Sequence, residues 1–335
     1  MRSATAGNPQ PMEEAESGRA DAPAVTTVVM TRNRCAELLA SLEHRSGPVI
    51  VVDNGSDDDT VERVRALPGS DIRLVALERN VGAPARNIGV RSANTPYVAF
   101  ADDDSWWAPG SLDRAAELFA AYPRLGLVAG RITVGPAEVD DPVCGQMAAA
   151  PLGCSPDLPG PDVLGFLACG AVVRREAFLA AGGFDDVVRF PGEEERLALD
   201  LAAAGWGLSY VPDIVARHHP SPARSSPVHR IRLETRSALL TAVMRRPLAV
   251  AARRARAAAT ESRGSRLGLL HALSDLPRAL AERRPLPPAV EQRAARLDPQ
   301  SSTREPRWTY RTSVRSLPLR LHSSTKSPSG ERKTP

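Results

Sequence analysis

The chain lacks the features that would place it across a membrane. Among its 335 residues, no apolar run approaches the roughly 18 to 20 residues that a helix needs to cross a bilayer. The first 23 residues carry acidic side chains and no apolar core of the kind found in signal peptides. We therefore expect a disordered leader over residues 1–23 rather than a secretory signal, and a cytoplasmic protein.

Cysteine is scarce, and its spacing excludes the common zinc and redox motifs. The four cysteines form no C-x-x-C pair and have no histidine nearby at zinc-ligand spacing. Reduced thiols are therefore expected. A disulfide between Cys144 and Cys154 remains an alternative.

Two glycine-rich nucleotide motifs are also missing. No G-x-G-x-x-G follows the first predicted strand, and no G-x-x-x-x-G-K-[ST] occurs anywhere in the chain. These absences argue against a Rossmann dinucleotide site and against a P-loop.

What the chain does have is an uneven distribution of charge. Its net charge is +4, yet residues 217–335 alone carry 25 Lys and Arg against 8 Asp and Glu. Such a basic region can meet an anionic membrane surface, a nucleic acid or a phosphate-bearing substrate. Because no recognised nucleic-acid-binding module accompanies the charge, we expect no nucleic-acid partner.

The basic region divides into two parts by composition. Residues 228–260 and 264–284 interleave Leu, Ala and Val with Arg, which predicts amphipathic basic helices. We expect a helical extension over residues 221–298 that packs on the preceding domain; peripheral contact with the inner face of the membrane is the alternative. Residues 299–335 have little apolar content and predict a disordered tail.

The N-terminal half alternates short apolar runs with helical patterns. Four runs read as buried strands, at residues 25–30, 48–52, 72–77 and 97–101, and amphipathic helical segments separate them. Strands that alternate with helices in this way predict a parallel sheet with helices on both faces.

Polar residues follow three of these strands, in Thr31 to Arg34, Asp53 to Ser56 and Asp102 to Asp104. The carboxyl ends of parallel strands lie along one edge of a sheet, so these loops should meet there. Three adjacent carboxylates repel one another unless a cation neutralises them, which favours a divalent metal site. An acidic turn before a helix near Ser111 is the alternative, and a tight turn with a helix cap is the alternative for the Asp53 loop.

The ordered motifs resemble those of the nucleotide-sugar-dependent glycosyltransferases of family 2. The resemblance rests on "TTVVMTRNR", "VIVVDNGSDDDT", "ERNVGAPARNIGVRSA" and "YVAFADDDSWWAPGSL", and continues in "CGAVVRREAFLAAGGFDD", "GEEERLALDLAAAGWGLSYVPD" and "VARHHP". It covers residues 24–220 and implies a catalytic domain with the Rossmann-like GT-A fold. That fold is an α/β architecture with a mostly parallel sheet flanked by helices.

The resemblance also implies a donor site that binds a nucleoside-diphosphate-sugar together with Mn²⁺ or Mg²⁺. The metal ligands would be Asp102 and Asp104, with His218 completing the site, although the sequence does not separate His218 from His219. The nucleotide contacts implied by the family pattern are Thr31, Arg32, Asp53, Asn54, Arg86, Asn87, Asp102 and Asp103. An ordinary helix start is the alternative for Arg86 and Asn87.

A second acidic cluster, Glu193 to Glu195, matches the place of the family's general base. Inverting members have Glu-Asp there, and the second carboxylate removes a proton from the acceptor hydroxyl. Glu194 stands where the family has Asp, so Glu194 is the expected base, with Glu193 or Glu195 as alternatives. An acidic helix N-terminus, where glutamates meet the helix dipole favourably, is the structural alternative.

The sequence therefore predicts an inverting, metal-dependent glycosyltransferase whose acceptor is an unidentified glycan, lipid or small molecule. Residues 141–165, rich in Pro and Gly, would form a functional or mobile loop on the acceptor side. Two alternatives stay open: an inactive GT-A domain that keeps its nucleotide affinity, and a nucleotidyltransferase. The second normally has a glycine-rich signature after its first strand, and Thr31 to Arg34 contains no glycine.

Overall fold

The computed structural model describes residues 23–45, 47–221 and 226–298. The predicted disordered tail and all but the last residue of the predicted leader lie outside these residues. Within them, no helix has both the length and the apolar composition needed to span a bilayer. The four cysteines are all free thiols, so the alternative disulfide between Cys144 and Cys154 is not formed.

A single mixed sheet forms the centre of the described chain. Its strands lie in the order β3-β2-β1-β4-β8-β6-β9-β5, and β7 pairs with β6 at the side. The strands are β1 (Val25–Thr31), β2 (Val49–Asp53), β3 (Ile72–Ala76), β4 (Tyr97–Asp102), β5 (Ser105–Trp107), β6 (Leu125–Val134), β7 (Val139–Asp140), β8 (Ala171–Arg174) and β9 (Gly207–His218).

The four predicted strands correspond to β1 to β4, which pair in parallel as expected. Every residue of β2 is buried, and so is nearly all of β1, as expected for strands that are covered on both faces. The rest of the sheet is mixed: β6 and β9 are parallel, whereas β8 runs antiparallel to both β4 and β6. The fold is α/β with helices flanking this sheet, as predicted.

Helices connect the strands and cover the sheet. Those of the first 220 residues are α1 (Cys35–Leu42), α2 (Thr60–Arg65), α3 (Ala85–Ser92), α4 (Ser111–Ala121), α5 (Pro142–Ala148), α6 (Arg175–Ala180) and α7 (Glu193–Ala203). Those of the C-terminal region are α8 (Pro227–Arg245), α9 (Leu248–Glu261), α10 (Arg263–Leu273), α11 (Leu276–Ala281) and α12 (Pro288–Leu297).

The segment 141–165 is more ordered than its composition indicated. It contains α5, which begins with Pro142 at the first helical position and with Asp141 as the cap. The Asp141 carboxylate accepts a hydrogen bond from the Val143 amide at 2.9 Å. Leu158, Val163 and Leu164 from the rest of the segment are buried in the main core.

The C-terminal helices pack on the domain formed by the central sheet, as the favoured interpretation of their pattern predicted. Leu286, Val290 and Ala294 belong to the same buried apolar cluster as the sheet. Arginines of the extension pair with carboxylates of the domain: Arg254 lies 2.8 Å from Glu195 and Arg293 lies 2.8 Å from Asp162.

Candidate active site

The strand-end loops open into one large cavity of about 1790 Å³. As the sequence predicted, the polar ends of parallel strands lie along its wall, and residues of α7, α8, α9 and α12 also line it. The predicted site residues that line it are Thr31, Arg32, Asn54, Arg86, Asp102, Asp103, Asp104, Glu194 and His218.

The three aspartates that follow β4 have three different environments. Asp102, the last residue of the strand, accepts a hydrogen bond on Oδ1 from Arg86 at 2.7 Å, and its Oδ2 has no partner among the described residues. Asp103 turns inward and accepts a hydrogen bond from the Thr31 hydroxyl at 3.3 Å. Burial, together with the adjacent charge of Asp102, raises the pKa of Asp103 to about 7.

Asp104 is held by the end of β9. His218 Nε2 lies 3.2 Å from its Oδ1, and the Ser221 amide donates to its Oδ2 at 3.1 Å. Burial would raise the pKa of Asp104, but the hydrogen bond from His218 and the contacts with Ser221 and Arg34 hold it below its usual value. The antiparallel pairing of β5 with β9 sets this arrangement, because it places His218 opposite Ser105. The His219 ring instead packs edge-on against Trp106.

The residues predicted as metal ligands suit a hard divalent cation in their chemistry. Asp102 and Asp104 offer carboxylate oxygens, and no other group in the described part of the chain competes for Asp102 Oδ2. The basic side chains that contact the three aspartates are Arg34, Arg86 and His218. In the described residues, the ligand atoms of Asp102, Asp104 and His218 do not all lie within 4.8 Å of one another.

Arg86 forms an ion-pair bridge across the site. Its guanidinium is 1% exposed and contacts Asp102 through Nη2 and Glu193 through Nη1, the latter at 3.2 Å. The bridge connects Asp102, the predicted metal ligand at the end of β4, to Glu193 in the first turn of α7. Nothing in the sequence indicated this contact, because Arg86 and Glu193 are 107 residues apart.

The three glutamates at the start of α7 point in different directions. Successive helix residues are rotated by about 100°, so neighbours cannot share one environment. Glu193 is buried beside Arg86, Glu194 lines the cavity and Glu195 pairs with Arg254 of α9 at the cavity wall. Burial raises the pKa of Glu194, and burial with the adjacent Glu194 charge raises that of Glu193.

The loop after β2 is built around its own polar side chains. Asp53 Oδ2 accepts a hydrogen bond from the Ser56 amide at 3.0 Å, and its buried Oδ1 has no partner within the described chain. Asn54 accepts from the Val81 amide at 2.8 Å and donates to the Gly82 carbonyl at 3.2 Å, which fixes the loop that follows β3. Asp53 therefore lies beneath the cavity wall, whereas Asn54 lies in it.

Two further predicted site residues do not line the cavity. Asn87 forms a pair of hydrogen bonds with the Phe184 backbone, donating at 2.8 Å and accepting at 2.9 Å. Both of its amide atoms therefore hold the chain after α6. Glu193 is the other, because it is buried against Arg86. Arg34 was not predicted as a site residue, yet it contacts both Asp103 and Asp104, and its position close to Thr31 was the available signal.

Comparison with known proteins agrees with this geometry. The family model "Glycosyl transferase family 2" matches residues 26–179. A pre-mycofactocin glycosyltransferase of Mycobacterium tuberculosis is 33% identical over 208 residues, which are 60% of this chain and 44% of the relative. The chain thus spans less than half the length of that relative.

A second relative and a solved structure extend the comparison. An N-acetylglucosaminyl-diphospho-decaprenol L-rhamnosyltransferase of M. tuberculosis is 30% identical over 218 residues, covering 54% of this chain and 70% of the relative. A mannosyltransferase from Pyrobaculum calidifontis, solved with GDP-Man and Mn²⁺, superposes with a TM-score of 0.51 at 22% identity, covering 82% of this chain and 74% of that one. This structural likeness shows the GT-A fold. Taken together with the sequence matches, it leads to one conclusion: the chain belongs to glycosyl transferase family 2.

Proposed function

We propose that this protein transfers a sugar, with inversion, from a nucleoside-diphosphate-sugar to an acceptor hydroxyl. The observation that carries the proposal is that Glu194 and the Asp102–Asp104 turn line the same cavity. Such a transfer needs two elements: a carboxylate with a raised pKa to act as general base, and a cluster of carboxylates that can bind a divalent cation. Family membership supports the reaction class, and the mannosyltransferase neighbour was solved with a nucleotide sugar.

The donor end of the cavity is the edge formed by the loops after β1, β2 and β4. Thr31, Arg32 and Asn54 line it, and Asp53 lies just beneath this wall, with its buried Oδ1 unpartnered among the described residues. Asp102 and Asp104, with His218, would hold Mn²⁺ or Mg²⁺, which when bound neutralises the diphosphate leaving group. The neighbour solved with Mn²⁺ supports a divalent cation.

Glu194 would act on the acceptor. The acceptor oxygen attacks the anomeric carbon, its proton passes to the Glu194 carboxylate, and the bond to the diphosphate breaks on the opposite face of the sugar. The raised pKa suits this role, since it brings the base closer to the pH at which it works. Glu193 and Glu195 are less suited, because each already has an arginine partner.

A thermal-shift screen with a transfer assay tests the proposal. UDP-, GDP- and TDP-sugars are added with and without Mn²⁺, and a ligand that binds only the folded state raises the melting temperature. We expect one donor to give a metal-dependent shift, and that donor to be hydrolysed or transferred. The matched variants are Asp102→Asn, which should lose the metal-dependent part of the shift, and Glu194→Gln, which should keep it and lose turnover.

The outcomes separate the alternatives. A metal-dependent shift without turnover by the wild type would support an inactive nucleotide-binding domain instead. No shift with any donor in the presence of Mn²⁺ would contradict the proposal as a whole.

A further inference from the structure

Helix α10 has an unusual distribution of side chains. Its buried residues are all small: Gly264, Ser265, Gly268 and Ala272. Three of its leucines point outward instead, with Leu267, Leu270 and Leu273 exposed to 37%, 63% and 55%. Helices on protein surfaces normally bury their large apolar residues and expose polar ones, so α10 has the reverse amphipathicity.

The packing of α10 on α8 explains the small residues. A Cβ at Gly264 would lie 2.9 Å from the Ile231 side chain, and one at Gly268 would lie 2.7 Å from Thr235. The two helices approach so closely that larger residues cannot fit between them. That contact accounts for the buried stripe, but nothing in the fold of the described residues accounts for three leucines on the opposite side.

Arginines share the exposed side with these leucines. At 3.6 residues per turn, Arg263, Arg266, Leu267, Leu270 and Leu273 fall within an arc of about 120° of the helix, opposite the buried stripe. Both arginines are exposed and form no ion pair with any of the described residues. Elsewhere in the extension, Arg236, Arg245, Arg246 and Arg254 each have a carboxylate partner.

We propose that this α10 face, formed by Arg263, Arg266, Leu267, Leu270 and Leu273, docks on the surface of an anionic lipid bilayer. Such a surface has an apolar acyl boundary next to a layer of anionic phosphates. The α10 face has the matching groups, because it places leucines beside arginines that have no carboxylate partner in the described chain. The acyl boundary receives the leucines, and lipid phosphates receive the guanidinium groups. The binding is peripheral, in keeping with an arc of one helix rather than a spanning segment.

Charge argues against two other possible occupants, a second copy of the chain and its C-terminal residues. In a twofold contact between two copies, the arginines of one face would lie against those of the other, and like charges would oppose association. Residues 299–335, a part of the chain long enough to cover the face, carry 8 Lys and Arg against 2 Asp and Glu. A basic segment is a poor cover for a basic face, and it would add to the attraction of an anionic membrane.

Vesicle flotation with the full-length protein tests the assignment. Vesicles of phosphatidylcholine alone are compared with vesicles that also contain phosphatidylglycerol, at low and high salt. We expect binding to the anionic vesicles only, and weaker binding at high salt. The double variants Leu270→Gln/Leu273→Gln and Arg263→Gln/Arg266→Gln should each lower the partition coefficient by about tenfold.

The matched control variants remove the same kinds of exposed side chain, apolar or arginine, from other parts of the surface. Val139→Gln removes an exposed apolar side chain on β7, and Arg63→Gln/Arg65→Gln removes two arginines from α2. Both should bind like the wild type, and all variants should keep its melting temperature because the changed residues are exposed. Full binding by both α10 variants, or equal binding of the two vesicle types by the wild type, would overturn the proposal. So would self-association that Leu270→Gln/Leu273→Gln abolishes, since the occupant would then be a second copy.

Discussion

The two acidic clusters of this molecule differ in how their charges are balanced. At the Asp102–Asp104 turn, the carboxylates crowd one another, and Asp102 Oδ2 has no partner in the described chain. At the start of α7, Glu193 and Glu195 each have an arginine, whereas Glu194 lines the cavity without an arginine partner among the described residues. We infer that the α7 glutamates paired with arginine stabilise the fold, and that Glu194 and the second carboxylate oxygen of Asp102, which lie at the cavity, are available for the chemistry.

The largest expected effect on activity comes from changing Glu194. Within the described chain, this glutamate of the α7 cluster forms no ion pair with an arginine. Glu194→Gln should lower turnover by about 10²- to 10⁴-fold, the usual contribution of a general base. Its melting temperature should not fall, since the change relieves repulsion with Glu193. Steady-state kinetics with the donor found in the thermal-shift screen measure the loss. Glu195→Gln is the matched control, and equal activity loss in both variants would remove the distinction between the two acids.

Breaking the Arg86 bridge should affect stability most. Arg86→Met leaves Glu193 buried without its cation, which costs about 3 to 5 kcal/mol of unfolding free energy. Chemical denaturation measures this loss. Arg65→Met, an exposed arginine on α2, is the control and should change stability by less than about 0.5 kcal/mol. A cost for Arg86→Met as small as that of the control would show that the bridge does not hold the two clusters together.

The pH dependence of activity sharpens the assignment of Glu194. Because burial raises its pKa, the carboxylate is protonated and inactive at low pH and becomes active as the pH rises through that pKa. We expect kcat/KM to increase about tenfold per pH unit along an acidic limb that lies above pH 4.5, the ordinary value for glutamate, and then to level off. An acidic limb at or below that value would argue for a solvated base.

The smallest effect is expected at the pair between α7 and the C-terminal extension. Arg254 and Glu195 are each about a quarter exposed, so solvent screens their attraction. Arg254→Met should cost about 1 kcal/mol of stability and leave kcat nearly unchanged. A double-mutant cycle with Glu195→Gln isolates the pair. A large fall in kcat for Arg254→Met alone would mean that the extension positions the base.

The predictable parts of the fold and the site share a cause. Strands β1 to β4 are continuous apolar runs that end in polar loops, and the parallel arrangement brings those ends to one edge. Thr31, Asn54 and Asp102 could therefore be grouped from the order of strands and loops along the chain. In contrast, β5, β7 and β8 have three, two and four residues, too few to show a period of two.

The sequence by itself determined the family, the parallel half of the sheet and the residue types at its edge, because these depend on local patterns and ordered motifs. Tertiary structure alone decided which acids are paired. The Arg86 bridge joins residues 107 positions apart, Asn87 forms hydrogen bonds with the Phe184 backbone, and Gly264 and Gly268 of α10 pack closely against α8. Such contacts arise from the packing of distant elements, which no local pattern encodes.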